Sequence, residues 1–99
     1  MLFSWFDARD ANNFGALMAR FYMDRMPPNR DLSEKQFATK SQQVLEKMNH
    51  QVTGFKQKNK LNIYKKAQMG NAFKWALKDA GYDDGYIDKL TQWLVARAQ

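Results

Sequence analysis

Ammonium groups are the densest chemistry in this chain. Lys47, Lys56, Lys58, Lys60, Lys65, Lys66, Lys74 and Lys78 follow one another with no aspartate or glutamate between the first and the last. From Asp31 to Ala80 ten lysines stand against four acids, so this stretch holds the whole net charge of +6 and the remainder sums to zero. On two helices lying side by side, such groups create a positive field that collects polyanions. Nucleic acid is the first candidate partner, an acidic protein the second, and a plain solvated basic surface is the bland alternative. Lysine is a hydrated point charge without the planar fork that arginine brings to base edges and phosphates. Binding of this kind is therefore expected to ignore sequence and to fall steeply with salt. No helix-turn-helix, homeodomain, zinc-finger, RRM or KH signature accompanies the lysines.

The remaining reactive residues are too scattered for catalysis. His50 is the only histidine and there is no cysteine, which leaves a transition-metal site almost nothing to build from. Asp83, Asp84 and Asp88 surround Gly85 in the manner of a calcium loop, but the alternation and the glutamate at the twelfth position are missing. Helix capping explains those acids better. Ser4, Ser33 and Ser41 lack a base with an orienting carboxylate, Glu34 and Glu46 fall on a solvent-rich helix, and no glycine-rich phosphate loop occurs. The expectation is a protein that is not an enzyme, with no metal, cofactor or catalytic residue.

Aromatic residues are the second unusual feature. Three Trp, four Tyr and seven Phe in 99 residues exceed what one small core commonly hides, and a second copy of the chain is the simplest cover for the surplus. Leu2, Phe3, Trp5 and Phe6 are one candidate interface, as a lid folded over the bundle end or as a docking strip. Tyr86 and Trp93 are the other. A membrane anchor is disfavoured for the first cluster, because six residues without flanking Lys or Arg make a poor interfacial helix, and peripheral membrane association through residues 1–6 together with the lysines is a third, weaker option. Tyr64 is open to stacking on a base, although a core or interface position suits a tyrosine better.

These side chains need elements to hold them, and every periodic signal is helical. Two prolines, five glycines and no sustained period-two alternation argue against sheets. The prediction is an all-α single helical domain spanning residues 1–99, a four-helix bundle or irregular array with helices near 8–26, 33–57, 62–80 and 84–97. Ser4 or Asp7 caps the first, whose inward face is Ala8, Ala11, Phe14, Gly15, Met18, Phe21, Tyr22 and Met26. Gly15, between Ala11 and Ala19, lets another helix come close. Pro27 and Pro28 stop it. Ser33 and Gln36 form a capping box, and Phe37, Ser41, Val44, Leu45, Met48, Val52 and Phe55 make one buried stripe. Ile63, Ala67, Met69, Gly70, Phe73, Ala76, Leu77 and Ala80 form the third face, ended by a left-handed Gly81. Asp83 or Asp84 caps the fourth helix, with Tyr86, Ile87, Leu90, Trp93 and Leu94 inward.

The polar run from Lys56 to Asn62 places a loop near Lys58–Leu61. An elongated or exchanged central helix from Ser33 to Gly81 is the alternative, because the apolar phase carries across the break. No run approaches the roughly 20 apolar residues of a membrane span, and the first six residues lack the basic region of a secretory signal, so the expected location is cytoplasmic. The functional expectation is a small non-enzymatic helical protein-interaction module, a homo-oligomer, with nonspecific nucleic-acid binding through Lys47–Lys78 as the alternative.

Overall fold

In the structure, a computed structural model that describes residues 5–28 and 31–99, four helices pack on one another with no strand among those residues. They are α1 (Arg9–Arg25), α2 (Glu34–Lys58), α3 (Ile63–Asp79) and α4 (Asp84–Arg97). The molecule measures 50 × 25 × 18 Å. No helix among the described residues is long and apolar enough to cross a membrane.

Local chemistry sets nearly every helix end. The Ser33 hydroxyl accepts the Gln36 amide at 3.2 Å while the Gln36 side chain accepts the Ser33 amide at 3.0 Å, closing the capping box ahead of α2. Asn62 Oδ1 accepts the Lys65 amide at 2.8 Å and opens α3. Asp83 does the same for α4 through the Tyr86 amide at 3.0 Å. Between them Gly81, at φ +90°, allows a Schellman closure, with the Tyr82 amide on the Leu77 carbonyl and the Gly81 amide on that of Lys78. The first helix departs from expectation. Ala8 occupies the cap position with no side-chain cap, because Asp7 spends its carboxylate on the Arg9 guanidinium and amide; Ser4 lies outside the described residues.

Packing is uneven around the bundle. The helices meet in the cyclic order α1, α3, α4, α2, so α2 and α3, neighbours in sequence, stand at opposite corners without packing closely on each other. The tightest pair is α1 on α3. Gly15 makes that approach possible: a Cβ there would collide with the Met69 carbonyl oxygen and sit 3.2 Å from the Ala72 Cβ. On the other side of α3, a Cβ on Gly70 would stand 3.0 Å from Val95 of α4. The core is Phe14, Met18, Ala19, Tyr22 and Met26 from α1 and its end, Met69, Phe73 and Leu77 from α3, and Ile87, Leu90 and Leu94 from α4.

Helix α2 is the least anchored. Only Val44, Met48 and Val52 of its 25 residues are buried, at roughly 1.5–3 kcal/mol for each such side chain. The predicted stripe is therefore narrower than expected, with Phe37, Ser41, Leu45 and Phe55 half-buried at its edges. Wide side chains hold α2 away from the other helices. Phe55 stacks on Phe14 with ring centroids 4.2 Å apart, and Phe37 meets Tyr86 at 6.2 Å. A break over Asn59–Asn62 separates α2 from α3, so the unbroken central helix is not the conformation adopted.

Candidate functional site

Standing α2 off from α4 leaves an open groove of about 510 Å³ between them. Phe37, Ala38, Ser41 and Leu45 line it from α2, and Trp93 and Arg97 from α4, with Glu46 on the α2 rim. Phe37, Leu45 and Trp93 are each packed against the core on one side and open to the groove on the other. The Lys56 ammonium links the same two helices by donating to the Arg97 carbonyl at 3.2 Å. Tyr86 lies beneath, half-buried, its hydroxyl bonded to that of Tyr22, and burial pushes its phenol up to about 12. Of the aromatic residues expected at an interface, Trp93 thus borders the groove and Tyr86 supports it through Phe37.

A second surface forms at one end of the bundle, where α2 stops and α3 and α1 start. The Asn62 amide donates to the Trp5 carbonyl at 2.9 Å, drawing the segment before α1 onto the first turn of α3. There Trp5 stacks on Tyr64 at 6.1 Å and Phe6 meets the same ring edge-on at 5.5 Å. The fold-back expected of this segment is present for Trp5 and Phe6, yet both remain largely exposed. Leu2 and Phe3 lie outside the described residues. Beside them Ile63, expected on the buried face of α3, is 82% exposed. It is the first residue of α3, about one turn before Lys66, whose ammonium donates to the Gln99 side chain at 3.1 Å.

Five of the eight lysines converge on this end. Lys56 and Lys66 reach Arg97 and Gln99, Lys60 and Lys65 border a small polar cavity with Asp7, Asp10 and Asn59, and Lys58 is the last residue of α2. The other three lie elsewhere. Lys47 is about 16 Å back along α2, at 1.5 Å per residue. Lys74 and Lys78 sit toward the far end of α3, where Lys74 faces Asp88 at 3.7 Å and Lys78 lies over the Trp75 ring. Since α2 and α3 are diagonal, the side-by-side placement on which a single eight-lysine face depends is not found. At the converging end, among the described residues, the one strong acid–base contact is local: the Arg9 guanidinium, bonded to Asp7 at 2.8 and 3.0 Å, holds that carboxyl down at about 2.

His50 is exposed on α2. No group of three His, Cys, Asp or Glu side chains able to hold a metal ion occurs among the described residues, and Asp83 acts as a helix cap. Sequence reasoning missed Ile63 as a surface residue and took Phe37 and Leu45 for buried ones. No signal in the chain could have found the groove, because it depends on how far α2 stands from α4. Comparison with protein-family models, with curated proteins and with solved structures finds no match.

Proposed function

We propose that the chain is a small non-enzymatic helical interaction module that pairs with a second copy of itself through the α2–α4 groove. The observation that supports this is the set of three large apolar side chains, Phe37, Leu45 and Trp93, presented along one open trough. A trough of this kind is costly to leave wet, at roughly 25 cal/mol for each Å² of apolar surface kept in water. Its charged residues favour a copy of the same chain over an unrelated partner. Glu46 and Arg97 stand on the two helices that form the trough, and a two-fold axis passing midway between them would set Glu46 of each copy against Arg97 of the other.

Light scattering tests the pairing directly. The expected solution mass is twice the 11.6 kDa of one chain. Trp93→Ala or Leu45→Glu should return a monomer that keeps its helical circular dichroism, and exchanging the charges in Glu46→Arg/Arg97→Glu should restore what either single reversal loses. A wild-type chain that stays monomeric at high micromolar concentration overturns the reading. The rival, sequence-independent polyanion binding, finds support only at the bundle end where the five lysines meet.

A further inference from the structure

Independently of the groove, we infer that the end of the bundle formed by Trp5, Phe6, Ile63 and Tyr64 with the lysines around them docks on the surface of an anionic lipid bilayer. Three of the six large apolar side chains exposed among the described residues gather there: Trp5 at 46%, Phe6 at 57% and Ile63 at 82%. The sequence ranks peripheral membrane association through residues 1–6 together with the lysines as its weakest option, because the segment before α1 has no neighbouring cations of its own. Folding supplies them. Asn62 ties the Trp5 carbonyl to the start of α3, and this places the aromatics beside Lys60, Lys65 and Lys66, with Lys56 and Lys58 one helix end away. The acids near them are Asp7 and Asp10, and Asp7 is taken by Arg9.

An apolar tip bordered by ammonium groups matches the two layers of a bilayer surface, a hydrocarbon boundary beneath anionic headgroups. Single-stranded nucleic acid shares the charge requirement but not the apolar one. It needs open aromatic faces on which bases stack. Here Trp5 and Tyr64 already stack on each other and Phe6 covers the Tyr64 edge. Ile63, the most exposed of the group, has no π face to offer. Tryptophan and tyrosine are also the side chains that settle at headgroup level.

The test is sedimentation of the full chain with phosphatidylcholine vesicles, with and without phosphatidylserine. Binding is expected only with phosphatidylserine and should weaken as salt is raised. Tryptophan emission should shift to the blue on binding. Lys60→Gln and Lys65→Gln should each lower the partition about fivefold, the factor expected for one cation near such a surface, whereas Lys47→Gln should leave it unchanged. Ile63→Ser, at a side chain too exposed to matter for folding, should weaken binding without altering helicity. The inference is overturned by any of three results: no binding to phosphatidylserine vesicles at low salt, equal losses from Lys47→Gln and Lys60→Gln, or capture of a single-stranded oligonucleotide by a chain that ignores the vesicles.

Discussion

The hydroxyls of Tyr22 and Tyr86 hydrogen-bond to each other across the bundle, joining α1 to α4. The two ends differ in burial, Tyr22 being wholly inside and Tyr86 half-exposed. Tyr86→Phe strands a buried hydroxyl and is expected to cost about 1–3 kcal/mol, the penalty of an unpaired polar group. Tyr22→Phe strands the Tyr86 hydroxyl, whose burial already opposes its ionisation, and belongs in the same range. Urea unfolding of both variants measures the losses, and an unchanged stability in either would refute the pairing.

Tyr86 also sets an alkaline limit. Burial raises its phenol from 10.0 to about 12, so the folded chain holds a proton that the unfolded chain has lost between those values. Stability from this group is complete below pH 10 and declines as pH rises toward 12. Asp7 acts in the opposite direction. Its carboxyl is held at about 2, first by the side-chain hydrogen bond from Arg9, and what it contributes is present above its ordinary 3.8 and lost as pH falls through 2. In alkaline titration followed by tyrosine absorbance, Tyr86→Phe should remove an ionisation near pH 12, and Arg9→Gln should return the Asp7 titration, followed by NMR, to the ordinary carboxylate range.

Glycine substitutions should separate contact from conformation. Gly15→Ala drives a methyl group into the Met69 carbonyl, backbone that cannot swing aside, and is expected to cost about 1–3 kcal/mol or more through forced separation of α1 from α3. Gly54→Ala meets nothing within 4 Å. Inside a helix it should stabilise by roughly 0.5–1 kcal/mol. Thermal melts of the pair give opposite signs if the α1–α3 approach is as close as described.

How much of this was legible in the sequence divides along the range of the forces. Ser33 with Gln36, Asn62, Gly81 and Asp83 act within a few residues, and each marks a helix end that the structure places within one position of the expected one. Gly15 was legible as a close approach, although not as an approach to Met69. Which helices become neighbours depends on residues far apart, and adjacency in the chain misled there. Lysines on α2 and α3 were expected on one flank, but α1 and α4 occupy the two sides of α3. Lys56 and Lys58 moreover point about 200° apart on their own helix, at 100° per residue, so one turns toward α4 and the other away.

Asn62 has two separable roles. Its carbonyl oxygen caps α3 and its amide nitrogen holds Trp5. Asn62→Asp keeps the cap acceptor and removes the donor, so stability should fall by well under the roughly 1 kcal/mol expected of Asn62→Ala, where the cap is lost. Both variants should make Trp5 easier to quench with acrylamide in a Trp75→Phe/Trp93→Phe background. If Asn62→Asp left quenching unchanged, the tie between that side chain and the segment before α1 would not exist in solution.

The cyclic order of the helices also bears on how the chain folds as it emerges from the ribosome. Gly15 and Met69 are separated by more than half the sequence, so α1 lacks its closest partner until α3 has been made. Through that interval α2 offers α1 little beyond Phe55 on Phe14, and the face of α1 that belongs to α3 stays uncovered. The newborn protein thus passes through a stage with its stickiest surface bare, and slowed translation across α2 would lengthen it.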